Sequence, residues 1–370
     1  MDFNFSIPIN VISGKGCVRE KSSLLSPMGK KCIIVTGGSS AKKSGALDDV
    51  LYALGNEGIE SILYDGIGPN PRLDHCFEAA EKARNFGADF VIGIGGGSPL
   101  DAAKAVAVYT ANPDLTLYDI YSQCERNRAL PIVLIGTTAG TGSEAGRVSV
   151  LSDPATGRKK SISPTDCFPC LTYADPTYTH SMPYDITVST ALDALAHAME
   201  GYMSVKCSDI PALFGEKAVE LIWQGLVFLH SAKTNPDEEM REKLYYGSLY
   251  AGITLAYCGT AFPHPLGYIL TENYGIPHGK ACTAFMDEFI DRSAQYEKDK
   301  TDRLLSVMNT DKESFKRIIR ELTALPEIKM TEEEILSFCA RYDTVPNNFI
   351  FSPGGFTKEN AVEIFRRKFL

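Results

Sequence analysis

The first half of the chain alternates short apolar runs with stretches of helical composition, and the second half does not. Strand candidates lie at 31–36, 61–65, 89–94 and 131–136, with helical stretches near 42–55, 72–86 and 99–110. That order builds a parallel sheet with helices on both faces. After about Pro183 the strand signal stops, and helical spacing takes over near 184–204, 209–231, 236–257, 281–308, 311–323, 331–342 and 357–369. At 370 residues the chain exceeds the length at which one hydrophobic core stops growing, so two domains are expected. The expected architecture is an α/β N-terminal domain over residues 1–180 and an all-α C-terminal domain over 181–370. The polar stretch 163–175 sits near the expected hinge, and no internal repeat is visible.

Composition narrows the partners. A net charge of −9 argues against a nucleic-acid or anionic-membrane surface and favours small molecules. Ten cysteines are scattered without a framework, and Cys167-Phe-Pro-Cys170 has no second pair, so reduced thiols are expected. The start, Met-Asp-Phe-Asn-Phe, has no basic leader, and no apolar run approaches the ~18 residues that span a bilayer. A cytoplasmic protein is the expectation.

Two residues four apart, Asp193 and His197, sit in the run Ala-Leu-Asp-Ala-Leu-Ala-His-Ala-Met-Glu200, which has no proline or glycine before Gly201. Helical spacing puts both on one face, where they can reach one ion. The pair alone also suits a buried Asp–His hydrogen bond. His264 and His278, both beside proline and glycine, tilt the reading, because a carboxylate and three imidazoles suit a divalent transition metal. The other three histidines, His75, His180 and His230, lack comparable neighbours and read as surface or core residues.

A strand candidate runs directly into Gly95-Gly-Gly-Ser-Pro-Leu-Asp101 and then into a helical stretch. Glycines admit an anion close to backbone amides, and a helix start offers free N–H groups. Ser98 suits the N-cap, Pro99 the first helical position and Asp101 the third, which gives Asp101 a capping role. The motif differs from Gly-x-Gly-x-x-Gly, and such a turn is also found as a plain tight connection. A second loop, Thr137-Thr-Ala-Gly-Thr-Gly-Ser-Glu144, concentrates hydroxyls and glycines at the end of another strand. Open parallel sheets bind ligands where such loops meet, so a pyrophosphate-bearing cofactor is the natural occupant.

These motifs, with Asn4-Phe-Ser-Ile-Pro8, Gly14-Lys-Gly16, Pro69-Asn-Pro71 and Pro277-His-Gly279, resemble the iron-containing, group III alcohol dehydrogenases nearly end to end. The resemblance implies that family's fold, shared with dehydroquinate synthase: a dinucleotide-binding α/β domain, a helical metal-binding domain and catalysis in the cleft between them. It implies a homodimer and a small alcohol or aldehyde substrate. Asp193, His197, His264 and His278 would be the ligands of one divalent metal, iron(II) or zinc(II). Gly96, Gly97 and Ser98 would hold the cofactor pyrophosphate, with Gly95 also in the cofactor site. Asn70, Asp101, Thr137, Thr138, Thr141, Ser143 and Val150 would line the rest of the cofactor site, and Lys159 would touch the ribose.

The chain departs from the family pattern in three places. Many relatives carry another histidine where Tyr268 stands, so a phenol or a metal-bound water would replace an imidazole in proton transfer. NAD-preferring relatives place an aspartate where Gly37 stands. Gly38, Ser39, Ser40, Lys42 and Lys43 offer amides, hydroxyls and positive charge instead, which favours NADP(H) over NAD(H), although the two lysines also suit the start of a solvated helix. The C-terminus is slightly short. The implied reaction is metal-assisted hydride transfer, running toward aldehyde reduction with NADP(H). Two other readings share the fold: a lyase of the dehydroquinate synthase type, disfavoured by apolar and aromatic neighbours of the metal segments (Met203, Tyr257, Phe262, Tyr268), and a binding protein without catalysis.

Overall fold

A computed structural model describes residues 5–122 and 126–370; Asn4, the first residue of the opening motif, lies outside them. The chain divides into two compact units, Met1–Pro183 and Tyr184–Leu370.

The first unit is built on strands β1 (Asn10–Ser13), β2 (Lys31–Thr36), β3 (Glu60–Tyr64), β4 (Phe90–Gly95), β5 (Ile132–Gly136) and β8 (Leu171–Ala174). They form one parallel sheet in the order β1-β8-β5-β4-β2-β3. Strands β6 (Ser149–Ser152) and β7 (Lys159–Ile162) make a separate antiparallel pair. The helices are α1 (Cys17–Glu20), α2 (Ser40–Lys43), α3 (Ala46–Asn56), α4 (Leu73–Phe86) and α5 (Gly97–Ala111).

Side chains alternate across a strand, and here the alternation sorts them into two cores. Ile33, Val35, Val91, Ile132 and Leu134 bury against α4 and α5. Cys32, Ile34, Phe90, Ile92, Ile94, Val133 and Ile135 bury against α3 on the opposite face. Both faces are covered, which is why β2, β4 and β5 read as continuous apolar runs. Because β3 flanks β2 on one side and β4 flanks it on the other, the chain reverses direction across the sheet at β2 and β4. The loops after these strands therefore diverge at a switch point, the usual ligand position of such sheets.

The polar stretch 163–175, expected to lie near the hinge, contributes β8, buried between β1 and β5. Its polar groups hid it: the Thr172 hydroxyl donates to the Glu144 carbonyl (2.7 Å) and the Tyr173 hydroxyl to the Lys21 carbonyl (2.7 Å), so both are satisfied inside.

The second unit, among its described residues, is helical: α6 (Tyr184–Met203), α7 (Asp209–Ala232), α8 (Glu238–Cys258), α9 (Pro263–Tyr274), α10 (His278–Thr283), α11 (Met286–Tyr296), α12 (Lys298–Val307), α13 (Lys312–Thr323), α14 (Glu332–Cys339), α15 (Asn347–Phe351) and α16 (Lys358–Phe369). Helix α6 is buried from Val188 to Met203 except at Thr190, and packs against α7, α8 and α10. Two expectations are corrected. The single helix near 281–308 is three helices, turned at Phe285 and Glu297, and α9 was not foreseen. Pro263 at its first position and Gly275 in the left-handed conformation after its end are nevertheless ordinary start and stop signals. No helix among the described residues is long and apolar enough to cross a membrane.

In the first unit, the loop after β5 is anchored from within. Glu144 is buried behind Gly136, and burial pushes its carboxyl up to about 7, with Lys104 pulling it back only in part. In the unfolded chain the same group titrates near 4.5. Between those values the unfolded state gives up a proton that the folded state keeps. Stability is therefore fully present below about pH 4.5 and falls by roughly 3 kcal/mol as pH rises through 7. Denaturant titrations of Glu144→Gln at pH 5 and pH 8 are expected to show near-equal stability to the parent at pH 5 and greater stability at pH 8. Parallel pH profiles for the two proteins would contradict this account.

Candidate active site

In the second unit, α6 carries Asp193 and His197 one turn apart, both buried. His264 is the second residue of α9 and His278 the first of α10. The entry of α10 lies directly on α6: a Cβ at Gly279 would collide with the Ser189 carbonyl oxygen and come within 2.9 Å of the Asp193 amide nitrogen. Only glycine permits that approach, and it delivers His278 to Asp193.

The four residues converge. Asp193 Oδ1 lies 4.0, 3.7 and 3.9 Å from Nε2 of His197, His264 and His278. The His197 and His264 rings stack at 4.6 Å, and His278 stands edge-on to His264 at 5.5 Å. Two donors bound to one cation at about 2.1 Å each are at most about 4.2 Å apart, and all three separations lie within that limit. They are too long for hydrogen bonds.

His264 gives the sharpest test of a cation. Its Nδ1–H donates to Glu200 Oε1 (2.6 Å), and Glu200 Oε2 accepts the Ala261 N–H (2.7 Å). That network assigns the proton to Nδ1 and leaves Nε2 as an acceptor, buried, without a hydrogen-bond partner among the described residues and facing a carboxylate oxygen. Two acceptors facing one another call for positive charge between them. Burial works against a charged ring, yet Cys282 and Glu200 outweigh it and raise the His264 pKa well above 6.5, so these surroundings draw positive charge, as a second ring proton where no cation is bound. The donor set fits a divalent transition metal.

Sequence reasoning passed over two members of this cluster. Glu200 follows Asp193 by seven residues and His197 by three on the same face of α6, and an acid in so apolar a helix was the available signal. Cys282 follows His278 by four, and its ligand atom groups with those of Asp193, His264 and His278, all within 4.8 Å of one another. Tyr268 stacks on His278 at 5.4 Å, and burial raises its hydroxyl to about 12.

The cofactor candidates lie in the first unit. Gly95 ends β4, and Gly96 precedes α5. The helix begins at Gly97, so the expected cap at Ser98 does not form; Ser98 Oγ instead accepts the Asn70 N–H (3.2 Å), Asn70 being left-handed at φ 55°. Gly97 sits so close to the threonine loop that a Cβ would come 2.5 Å from Thr141 Cγ2, and one at Gly96 would come 3.1 Å from Thr138. The two loops thus form one cradle of amides and hydroxyls. The buried Thr137 hydroxyl in it has no hydrogen-bond partner among the described residues. Such a surface fits a pyrophosphate.

Asp101 does not cap α5 either. Its Oδ1 accepts the Ser143 hydroxyl (2.6 Å) and its Oδ2 the Val150 N–H (2.9 Å). Fully buried Lys104 spends its three protons on Ser143 O (2.9 Å), Ser143 Oγ (2.6 Å) and Val148 O (2.7 Å), and lies 3.5 Å from Asp101. These groups brace the loop and the β6–β7 pair from behind; Lys159 lies on β7, paired with Ser152. Gly37 follows β2, and Gly38, Ser39, Ser40 and Lys42 are exposed.

A family model described as iron-containing alcohol dehydrogenase matches residues 8–176, and one described as the Fe-containing alcohol dehydrogenase family, C-terminal, matches residues 187–337. The chain is 29% identical to an NADPH-dependent butanol dehydrogenase of Clostridium saccharobutylicum over 340 residues, 89% of this chain and 86% of the relative. A solved iron-containing alcohol dehydrogenase from Thermotoga maritima superposes with a TM-score of 0.91 at 34% identity, covering 99% of each chain. The sulfoacetaldehyde reductase of Bifidobacterium kashiwanohense, solved in complex with NAD+, gives a TM-score of 0.88 at 28% identity, covering 100% of this chain and 99% of that one. The chain belongs to the iron-containing alcohol dehydrogenase family and is an oxidoreductase that links a nicotinamide cofactor to alcohol and aldehyde chemistry.

Proposed function

We propose that the protein is a metal-dependent reductase that uses NADPH to convert small aldehydes to primary alcohols. The observation that carries this reading is the facing of Asp193 Oδ1 by three imidazole nitrogens at 3.7–4.0 Å, with the His264 tautomer set by Glu200. Asp193, His197, His264 and His278 would hold the cation. When bound, the cation supplies Lewis acidity at a substrate oxygen, and the nicotinamide supplies the hydride.

The chain's own residues do the positioning. Glu200 holds the His264 ring by its Nδ1–H and so orients Nε2. The Gly96 and Gly97 backbone and the Thr137, Thr138 and Thr141 loop form the phosphate cradle, which Lys104 and Asp101 hold rigid. Burial raises the Tyr268 hydroxyl to about 12, so at neutral pH it is a neutral phenol that can donate or accept a hydrogen bond.

The preference for NADPH rests on the absence of a carboxylate at the end of β2. A side chain at Gly37 would meet the Ile67 carbonyl oxygen at 2.7 Å, whereas one at Gly38 meets nothing within 4 Å. Exposed Ser39, Ser40, Lys42 and Lys43 follow that open position along the chain and would receive a 2′-phosphate. The likeness to a relative named NADPH-dependent supports this choice.

Two sets of experiments test the reading, one on the metal and one on the coenzyme. Chelation is expected to remove turnover, and iron(II) or zinc(II) to restore it, while His264→Ala loses bound metal and turnover together; full activity in metal-free protein would refute the metal assignment. Steady-state rates should favour NADPH over NADH. Gly38→Asp, with a residue type that tolerates the local φ of 42°, is expected to lower that ratio by about tenfold or more, the effect of roughly 1.4 kcal/mol of repulsion against a 2′-phosphate. A parent enzyme that prefers NADH would overturn the coenzyme assignment.

A further inference from the structure

Cys282 is buried one helical turn beyond His278 on α10, the same i, i+4 spacing that joins Asp193 and His197 on α6. Its Sγ lies 3.6 Å from His278 Nδ1 and 3.7 Å from His278 Nε2. Helix α9 presses on it from the other side, where a Cβ at Gly267 would come 2.9 Å from Sγ and within 2.8 Å of the Cys282 backbone. The thiol is thus held among the ligand atoms. Together with Asp193, His264 and His278 it forms a group whose donor atoms all lie within 4.8 Å of one another, a group His197 does not join.

A sulfur at about 2.3 Å and an imidazole nitrogen at about 2.1 Å from one cation are at most about 4.4 Å apart, and the Cys282–His278 separation lies inside that limit. We propose that Cys282 is a sulfur donor of the metal site, binding through Sγ as the thiolate while its proton passes to solvent. The inference rests on the metal reading above. It adds a soft ligand to a set of hard and borderline ones, which moves the site's preference from iron(II) toward zinc(II) and cobalt(II). A merely structural thiol in the same place would pack and hydrogen-bond to His278 without entering the coordination of any ion.

Full-length protein freed of metal and loaded anaerobically with one equivalent of cobalt(II) separates these roles by spectrum, with no need of turnover. The expected result is a set of visible ligand-field bands together with a strong near-ultraviolet thiolate-to-cobalt band. Both Cys282→Ser and Cys282→Ala should keep the visible bands and lose the near-ultraviolet one. In zinc–iron competition the variants' preference for zinc should fall about tenfold. Cobalt that binds without the thiolate band, or a thiolate band that survives in both variants and so arises from another cysteine, overturns the sulfur assignment alone. An unchanged zinc–iron ratio overturns the claim about selectivity. Failure of the parent to bind cobalt overturns this inference and the metal reading together. Because the first measurement is made on the parent protein, a variant that folds poorly does not remove the test.

Discussion

The helical unit is organised around a buried carboxylate oxygen that faces three imidazole nitrogens at 3.7–4.0 Å. Burying an ionised carboxylate costs far more than an apolar contact gains unless opposite charge or hydrogen-bond donors accompany it. Asp193 turns Oδ1 toward three ring nitrogens drawn from three helices, at separations that leave room for a cation to meet that requirement. The arrangement depends on backbone as much as on side chains. Helix α10 reaches α6 only because residue 279 has no Cβ, so the packing of two helices and the gathering of the donors are one event. A side chain there would push His278 outward and open the cluster even with every donor intact.

Residue pattern made the α/β half legible where burial is two-sided. β2, β4 and β5 are continuous apolar runs because helices cover both faces, and they stand within a residue of their expected bounds. β1, β8 and the β6–β7 pair are four residues each and carry serine, threonine, asparagine or lysine, so nothing in their local pattern separates them from loop. What makes β8 a strand lies elsewhere in the chain, in β1 and β5 that pair with it, while the Glu144 and Lys21 carbonyls receive its hydroxyls. The helix breaks at Phe285 and Glu297 have no glycine or proline to announce them either.

The site was legible to the extent that spacing and residue type carry it. Asp193 and His197 follow from the helical repeat, and His264 and His278 from their rarity and their proline and glycine neighbours. Glu200 and Cys282 obey the same repeat but are residue types that a helix tolerates for many reasons, so only the tertiary partners, His264 for one and His278 for the other, reveal their place. Asp101 shows the converse. Its position three residues into a glycine-led helix reads as a cap, and the competing interaction that wins comes from Ser143 and Val150, over forty residues away.

Each unit therefore buries charge, and the contrast between them separates support from chemistry. In the first unit Lys104 supplies its own compensation: three acceptors take its three protons, and Asp101 stands beside it, so the group is complete within the protein. In the second, Glu200 is held by the His264 ring and the Ala261 N–H, and Cys282 lies among His264, Asp193 and Glu200. A cluster of acids, a thiol and imidazoles is rich in lone pairs and poor in positive charge. The first unit's charged cluster is consequently a brace complete within the protein, and the second unit's is a donor set of the kind that suits a divalent cation.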